Sequence, residues 1–282
     1  VASTSDGLAA LGRLSEFLSS DCSFDQMMIN GTDSNDVMEK ESDALRIQNA
    51  LFTWGKCSLR VPELHVKKGQ LVVITGNIQS GKSSFLMALC REMPLMEGYL
   101  FRSTDKMPLA SQHPWILNMT LRENITFINR FDIDAYKKAI ELADLESDLL
   151  HLPDGDMTMI GERGANLSGG QKARVAMARC FYQAIIEPES SVLLLDDPLA
   201  SVDQRVARRI AESIVFRLPS TTRIVVSNHP LILKHADQTC LIENGMVYCQ
   251  SRESSPSVSS FSETSTTTVS ASTPYTTSDA TP

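Results

Sequence analysis

Apolar residues follow two patterns along the chain, short unbroken runs and spacings of three or four residues. An unbroken run of this length predicts a strand buried on both faces, as in a parallel sheet. Leu71–Thr75 and Ser191–Leu195 are such runs, and Thr222–Ser227 is predicted to be another buried strand. Apolar residues recur every three or four positions in 83–90, 171–183 and 203–218, which predicts helices there. Because strands and helices alternate in this order, the pattern predicts an α/β fold.

Weaker patterns fill the rest of the central region. Helical spacing from 120 to 152 predicts a helical insert between strands. The dipeptide Asn244-Gly245 between apolar segments predicts a hairpin over 240–248. Further short strands are predicted at Leu59–Leu64, Tyr99–Phe101 and Met107–Ala110.

The two ends of the chain differ from its centre. Residues 1–20 carry an apolar stripe that predicts a short helix, which either packs on this domain or ends a neighbouring one. Residues 21–44 are polar and acidic and predict a linker, so a folded domain is expected over 45–250. Residues 251–282 are rich in Ser and Thr, which predicts a disordered linker. The stripe comprises Leu8, Leu11, Leu14, Phe17 and Leu18.

Composition argues against several classes of protein. A net charge of −8 argues against a nucleic-acid binder, because such proteins usually present a basic face. The six cysteines include no C-x-x-C pair, so they predict neither a zinc site nor a disulfide framework and suit a reducing cytosol. No apolar run approaches the roughly 18–20 residues that span a bilayer, and no signal peptide is visible. The chain does not begin with Met, which predicts a piece of a longer polypeptide.

The strongest motif is Gly76–Ser83, which fits the phosphate-binding P-loop pattern G-x-x-x-x-G-K-[ST]. It lies between a predicted strand and a predicted helix, so backbone N–H groups and the positive end of a helix dipole converge on one point. Lys82 adds a charge for the β- and γ-phosphates, and Ser83 offers a hydroxyl to Mg²⁺. The residues expected to bind nucleotide are Gly76, Asn77, Gln79, Ser80, Gly81, Lys82, Ser83 and Ser84.

A second motif places a hydroxyl and two glycines at the start of a long predicted helix. It comprises Ser168, Gly169, Gly170 and Gln171, directly after Leu167. The N-terminus of a helix built in this way suits an anion. An ordinary helix N-cap explains Ser168 but does not explain the paired glycines.

Polar side chains at strand ends form a third motif. Asp196 and Asp197 end a buried strand, at the edge of a parallel sheet where ligands bind. Two adjacent buried acids are costly unless a cation or a reaction needs them, so a metal site is favoured over an exposed turn. Gln112 ends a shorter strand, where its carboxamide either faces solvent or reaches Mg²⁺ or a water.

Trp54 precedes the P-loop and has two interpretations. It is a core aromatic, as most tryptophans are, or an indole that stacks on adenine. The residues around it do not separate the two.

Together, these motifs resemble the nucleotide-binding domains of ABC transporters. The order of P-loop, Gln112, Leu167–Gln171, Asp196-Asp197 and Asp203 is that of the family, over about 45–250. The details resemble the first nucleotide-binding domain of the C subfamily, the multidrug-resistance-associated and sulfonylurea-receptor group. This resemblance implies a P-loop NTPase core with a mainly parallel sheet, an N-terminal antiparallel β subdomain and a helical signature subdomain at about 120–183. The stretches that carry the details are Phe52-Thr53-Trp54, Leu121–Ile125 and Asp196–Asp203.

The resemblance also assigns roles to individual residues. It implies that Trp54 stacks on adenine and that Gln112 links Mg²⁺ to a transmembrane partner. Asp196 becomes the acid of the metal site, beside Ser83 and Gln112. Ser168 and Gly170 become donors to ATP held by an opposing domain, with Gly169, Gln171 and Asp203 beside them.

Two departures from the family pattern predict slow hydrolysis. Asp197 stands where active members carry Glu, the base that polarises the attacking water. Asn228 stands where the family has its switch histidine, and His229 lies one residue later. Asn can hydrogen-bond a γ-phosphate but has no titratable imidazole. The site formed by this P-loop is therefore expected to be degenerate.

The function implied by the resemblance is an ATP-binding, slowly hydrolysing domain of a membrane transporter. It would couple dimerisation with a second nucleotide-binding domain to transport, and it would contact transmembrane domains through the Gln112–Trp115 region. No nucleic acid is expected as a partner. Residues 1–20 would follow one transmembrane domain, residues 251–282 would lead to another, and this domain would lie on the cytoplasmic side. The alternatives are a nucleotide-sensing regulatory domain of a channel-associated ABC protein and a soluble translation or repair ATPase.

Overall fold

The structure is a computed structural model that describes residues 42–55, 57–188 and 191–252. In these ranges nine strands form one sheet. The strands are β1 (Asp43–Trp54), β2 (Cys57–Lys67), β3 (Leu71–Gly76), β4 (Leu95–Arg102), β5 (Leu109–Ala110), β6 (Val192–Asp196), β7 (Thr222–Val226), β8 (Gln238–Glu243) and β9 (Met246–Ser251).

Helices connect the strands and form an insert between β5 and β6. The α-helices are α1 (Lys82–Leu89), α2 (Leu121–Thr126), α3 (Ile133–Leu142), α4 (Glu146–His151), α5 (Gly169–Ile186), α6 (Gln204–Phe216) and α7 (Pro230–Lys234). Short 3-10 turns cover Gly155–Met157 and Glu162–Gly164. In the described ranges, no helix is both long and apolar enough to cross a membrane.

The sheet has an antiparallel half and a parallel half. Its strand order is β4-β1-β2-β9-β8-β3-β7-β6-β5. Strands β4, β1 and β2 pair antiparallel, whereas β8, β3, β7, β6 and β5 pair parallel. The β8–β9 hairpin lies between the halves. The predicted fold class is confirmed, including the antiparallel β portion near the N-terminus of the described chain and the helical insert.

The predicted strands and helices are present because the sequence patterns match their environments. Every residue of β6 and of β7 is buried, as expected for central strands of a parallel sheet, although β7 includes Arg223. The hairpin turn is also confirmed, since Asn244 and Gly245 both have positive φ, at 50° and 76°. A two-residue turn of this kind favours Asn-Gly for that reason.

Two apolar cores lie on the two faces of the sheet and hold the strand that carries the P-loop. Val73 belongs to the core beneath the helical insert, α5 and α6. Val72 and Ile74 belong to the core formed with β1, β2 and α1. Successive side chains of a strand point to opposite faces, so β3 is packed on both sides. The base of the P-loop is therefore fixed in position.

One expectation is wrong. The scattered cysteines predicted no disulfide, but Cys240 and Cys249 are disulfide-bonded across the β8–β9 hairpin. They are direct cross-strand partners, a proximity that depends on the hairpin register rather than on a recognisable spacing.

The end segments predicted from the sequence cannot be compared with the structure. The helix at 1–20, the linker up to residue 41 and the chain from residue 253 lie outside the described residues. The first strand begins at Asp43, close to the expected start of the folded domain near residue 45.

The start of α3 is held by a tyrosine from α5, and this generates a prediction of stability. Tyr182 is fully buried; its hydroxyl donates to Arg130 O at 2.6 Å and accepts from Asp132 N at 2.8 Å. Tyr182→Phe removes both hydrogen bonds, and an intramolecular hydrogen bond contributes a net stability of about 0.5–1.5 kcal/mol. We expect a loss of about 2 kcal/mol in the free energy of unfolding, measured by urea denaturation.

The matched control is Tyr99→Phe, since Tyr99 is exposed on edge strand β4. It should change the free energy of unfolding by less than about 0.5 kcal/mol. Equal effects of the two substitutions would show that the Tyr182 hydroxyl does not hold α3.

Candidate nucleotide site

The P-loop joins β3 to α1 at the carboxyl edge of the sheet. Helix α1 begins at Lys82, and its N-cap is Gly81, which has no side chain to occupy the first backbone N–H groups. In the first turn of α1 there is no acidic residue. The helix N-terminus thus presents donors and a positive dipole end to the space above β3, which suits an anion.

Gly76 is required by a close backbone approach. Its φ is 147°, and a Cβ there would lie 2.5 Å from Ile242 O and 2.7 Å from Ser80 Oγ. Ser80 Oγ is itself buried and has no hydrogen-bond partner among the described residues. The loop therefore offers an unused hydroxyl beside its backbone N–H groups.

The Lys82 side chain lies across the loop. Its Nζ donates to Gly76 O at 2.9 Å and to Asn77 O at 2.6 Å. Asn77, Gln79 and Ser83 are exposed around it, whereas Ser84 is half-buried. The ammonium is therefore held at the mouth of the loop.

Asp196 and Asp197 lie beside the P-loop because the parallel strands are in register. Asp196 pairs with Val226 of β7, and Ile74 of β3 pairs with the same Val226. Asp196 is buried and Asp197 is half-buried. Asp197 has a φ of 48°, and its N–H donates to Val226 O at 3.1 Å. The chain thus turns sharply away from the sheet directly after Asp196.

The charges around Asp197 show how close the two motifs are. Burial and the negative charge of Asp196 raise the pKa of the Asp197 carboxyl, and the positive charge of Lys82 partly offsets this. An acid and a lysine that affect each other in this way belong to one site. Lys82 and the acid pair, predicted separately from the sequence, are therefore brought together.

Gln112 lies at the same edge of the sheet. Ala110 of β5 pairs with Leu195 of β6, so Gln112 and Asp197 each lie two residues beyond this pair. The Gln112 side chain is exposed. Beside it, Ser111 Oγ donates a hydrogen bond to His113 O at 2.8 Å and stabilises the turn that carries Gln112. Its position suits a ligand for a cation held by Ser83 and Asp196.

Trp54 is not a core residue, which removes one of its two interpretations. Its side chain is 58% exposed at the end of β1. Its cross-strand partner Cys57 contacts Ser84, with Sγ and Oγ 3.9 Å apart. This contact connects the Trp54 end of β1 to the P-loop helix. The exposed indole is thus available to stack on a base.

Asn228 lies at the carboxyl end of β7, next to β3. Ser227 N donates to Ile74 O at 3.3 Å, and Asn228 follows with an exposed side chain. His229 is the N-cap residue of α7, and its Nδ1 is buried without a hydrogen-bond partner in the described chain. Asn228, rather than His229, therefore directly follows the residue whose N–H is bonded to β3.

The second motif is an N-terminal capping box on α5. Ser168 Oγ accepts from Gln171 N at 3.2 Å, and Gln171 Oε1 accepts from Ser168 N at 2.8 Å. Because the Ser168 hydroxyl oxygen is the acceptor, its proton remains available to another acceptor. Ser168 and Gly169 are exposed, so they can contact a ligand that belongs to another chain or domain.

Gly170 and Asp203 have structural roles beside any role in binding. A Cβ on Gly170 would lie 2.8 Å from Ser201 O, so the glycine allows the 201–203 loop to pack on α5. Asp203 is the N-cap of α6 and accepts from Arg205 N and Val206 N. Hydrogen bonds from Val206 N and then from Arg205 N lower the pKa of its carboxyl, with Arg174 and Arg209 adding to the effect.

Two polar groups near the site were not recognised from the sequence. Asp148 of α4 accepts from Gln171 Nε2 at 3.0 Å and pairs with Arg174 at 2.7 Å, which orients the capping glutamine. Arg179 and Asn124 meet inside the helical insert, behind the Gln112 loop. Both groups of contacts join residues that are distant in sequence. The sequence feature that could have indicated them is a single Arg on an apolar helix face.

The residues fit Mg²⁺ and a nucleoside triphosphate. The unpartnered Ser80 hydroxyl and the uncapped α1 N-terminus supply donors for phosphate, and the Lys82 ammonium supplies charge. Ser83, Asp196 and Gln112 supply oxygen ligands, which Mg²⁺ prefers. Trp54 supplies an aromatic face for a base. The signature residues Ser168–Gln171 lie at the start of a separate helix, where Ser168 and Gly169 are exposed.

Comparison with known proteins agrees with this geometry. A family model described as ABC transporter matches residues 59–200. The chain is 40% identical over 219 residues to ATP-binding cassette sub-family C member 10 of Homo sapiens, covering 75% of the chain and 14% of the relative. It is 37% identical over 244 residues to multidrug resistance protein mrp-7 of Caenorhabditis elegans, an alignment that covers 83% of the chain and 15% of the relative. It is also 37% identical over 207 residues to metal resistance protein YCF1 of Saccharomyces cerevisiae, an alignment that covers 71% of the chain and 13% of the relative.

The raised pKa of Asp197 generates a prediction about stability and pH. Because the folded state favours the protonated carboxyl, the ionised carboxyl costs stability above its ordinary pKa of 3.8. Asp197→Asn should therefore raise the free energy of unfolding of the nucleotide-free chain at pH 7. The gain should shrink as pH falls through the raised pKa of the folded carboxyl, and it should vanish below 3.8, where the carboxyl is protonated in both the folded and the unfolded chain.

Urea denaturation at pH 4 to 8 measures the difference, with exposed Glu243→Gln as the control for loss of a surface charge. A destabilising effect of Asp197→Asn that is the same at every pH would contradict the electrostatic explanation.

Proposed function

Because the chain belongs to the ABC transporter family, we propose that it is the first nucleotide-binding domain of a C-subfamily membrane transporter. Domains of this family bind ATP, generally with Mg²⁺, and hydrolyse it. The observation that carries the proposal is the convergence of Lys82, Asp196 and Asp197 at the carboxyl edge of adjacent parallel strands. The chain spans about 14% of the relatives it matches, so the activity of a whole transporter is part of the proposal.

In this proposal the P-loop and Trp54 hold ATP. The α1 N-terminus, Ser80 and Lys82 bind the phosphates, while the exposed indole of Trp54 stacks on adenine. Bound Mg²⁺ would neutralise phosphate charge and orient the γ-phosphate. Ser83, Asp196 and Gln112 are the residues that would hold it.

The signature residues act on a second domain. Ser168 and Gly170 contact ATP held by an opposing nucleotide-binding domain, with Gly169, Gln171 and Asp203 beside them. The exposed capping box, whose hydroxyl proton is available, supports this role. Dimerisation around ATP then transmits force to transmembrane domains through the exposed Gln112–Trp115 region, which places this domain on the cytoplasmic side of a membrane.

Transport is favoured over the regulation of a channel. The relatives named above include proteins described as multidrug-resistance and metal-resistance proteins. The net charge of −8 also disfavours the alternative of a translation or repair ATPase that binds nucleic acid.

We also propose that the nucleotide site formed by this P-loop hydrolyses ATP slowly. Asp197 has one methylene fewer than Glu, and its carboxylate is thus further from an attacking water. General-base catalysis needs a reach of about 2.6–3.2 Å and contributes roughly 10²–10⁴-fold. Asn228 carries no imidazole, so it cannot place a positive charge beside the γ-phosphate. The site therefore binds Mg²⁺ and ATP better than it turns ATP over.

Loss of the P-loop ammonium tests nucleotide binding. Lys82→Ala should weaken ATP–Mg²⁺ binding by at least about tenfold, because charge-assisted hydrogen bonds contribute roughly 1.5–3 kcal/mol each. Isothermal titration calorimetry on the 282-residue chain measures the affinity. Lys137→Ala removes an exposed lysine of α3 and is the control. Equal affinities for the two variants would refute phosphate binding by Lys82.

Restoring the family residues tests the slow chemistry. The double substitution Asp197→Glu with Asn228→His should raise hydrolysis at this site several-fold in the complex with the opposing domain, because it supplies a longer base and an imidazole. Single-turnover assays with nucleotide trapped at this site measure the rate, with each single substitution as a control. No gain in the double variant, together with unimpaired turnover in Asp197→Asn, would show that another residue is the base.

A further inference from the structure

Arg179 is a buried arginine in the third turn of α5, and its contacts are to backbone and aromatic groups. The residue is 7% exposed. Its Nε donates to Asn124 O at 2.6 Å, and its two terminal nitrogens each lie 3.3 Å from Trp115 O. The guanidinium carbon lies 3.4 Å from the centroid of the Trp115 ring and 5.9 Å from that of Phe127. The side chain therefore fixes Trp115 by both its carbonyl and its ring.

Asn124 of α2 completes this contact from the other side. It is fully buried, and its Oδ1 accepts from Leu117 N at 2.9 Å while its Nδ2 donates to Leu117 O at 3.0 Å. The same Nδ2 donates to Thr120 O at 3.1 Å, and the Oδ1 lies 3.4 Å from Arg179. Arg179 and Asn124, here called the loop clamp, thus hold the backbone of residues 115–120.

The clamped backbone continues directly from the Gln112 loop. Trp115 lies three residues after Gln112, which limits their separation to about 10 Å. The other end of the loop is fixed where Ala110 pairs with Leu195. The loop that carries Gln112 is therefore anchored by β5 at one end and by the loop clamp at the other, and the position of Gln112 depends on both anchors.

The clamp also joins this loop to the signature helix. Ser168 caps α5, and Arg179 lies eleven residues further along the same helix, a distance of about 16 Å. A single continuous helix transmits displacement over this length. Through Arg179 the Gln112 loop is thus attached to the helix that Ser168 caps.

Burial of the Arg179 charge is difficult to explain by packing alone. Burial lowers the pKa of the guanidinium to about 10, so it is still charged at neutral pH. In the described part of the chain no Asp or Glu forms an ion pair with it. An uncompensated buried charge is costly, and an apolar side chain of similar length would fill the same space at lower cost. A function for the directed hydrogen bonds accounts for its presence.

We infer that Arg179 is a positioning residue that, with Asn124, holds the Gln112 loop in reach of Mg²⁺ and couples that loop to the signature helix. The inference rests on the proposed role of Gln112. Arg179 itself touches neither nucleotide nor metal in this scheme. It acts through the backbone of Trp115.

The test compares ATP affinity with and without Mg²⁺, because only a positioning role makes the effect depend on the metal. Arg179→Lys keeps the charge but loses the planar, forked donors that reach Trp115 O and Asn124 together. The matched control is Arg223→Lys, since Arg223 is another buried arginine that donates to carbonyls, namely Ile214 O and Gly69 O. It lies near the opposite end of β7 from Asn228.

We expect Arg179→Lys to leave ATP affinity in EDTA within about twofold of the unchanged chain. The gain in affinity on adding Mg²⁺ should fall on the order of fivefold, a size typical of coupled neighbours. Gln112→Ala should reduce the same gain, and the double variant should be no worse than Gln112→Ala alone. Arg223→Lys should lower thermal stability without changing the gain.

The outcomes separate this inference from the proposed function. If Gln112→Ala reduces the Mg²⁺-dependent gain and Arg179→Lys does not, the loop clamp is structural only and the inference fails. If Gln112→Ala itself has no effect, the proposed role of Gln112 fails first, and the inference fails with it. Additive effects in the double variant would also overturn the inference, because the two residues would then act independently.

A second measurement leaves the clamp unchanged in case Arg179→Lys does not fold. In Trp54→Phe the remaining tryptophan is Trp115, which lies against Arg179. Adding Mg²⁺ to this chain at saturating ATP should change Trp115 emission, and Gln112→Ala should abolish the change. An emission that does not respond to Mg²⁺ would show that the clamped segment is not coupled to the metal.

Discussion

In-register pairing of the parallel strands is the constraint on which the candidate site depends. Strands β3, β7, β6 and β5 are hydrogen-bonded side by side, so the residues after their carboxyl ends are brought to one edge. This register brings the segments that carry Lys82, Asp197 and Gln112, which are separated by up to 115 positions, to one edge of the sheet. Shifting one strand by a single residue would move its terminal side chain to the other face of the sheet. The two apolar cores oppose such a shift because they pack both faces of β3.

A second constraint operates inside the helical insert, where polar groups rather than apolar contacts fix the backbone. Asn124, Arg179 and Tyr182 each satisfy carbonyl or N–H groups of irregular segments that no strand or helix would pair. Two of the three lie on α5, the helix that presents the signature residues. The loops of the insert and the signature residues are therefore supported by the same helix, α5.

The sequence was sufficient for the parts of the fold and site that depend on local pattern. Short apolar segments identified β3, β6 and β7, and the P-loop was recognised because its eight positions are consecutive. Interactions across long separations were not accessible in this way. The Cys240–Cys249 pair depends on hairpin register, the exposure of Trp54 depends on where β1 ends in the sheet, and the Arg179 contact joins residues 64 positions apart. The roles of Asp197 and Asn228 came from a family resemblance, and the structure adds their positions at the strand ends.

The seam between the two halves of the sheet is narrow. Strand β2 meets β9 through the pairing of Arg60 with Met246, and Arg60 N donates to Gly245 O at 2.7 Å beside it. Trp54 belongs to the antiparallel half and Lys82 follows a strand of the parallel half. A nucleotide with its base on Trp54 and its phosphates on Lys82 would cross this seam and contact both halves of the sheet. ATP would then connect the two halves of the sheet at its surface, in addition to the apolar core that Val72 and Ile74 share with β1 and β2.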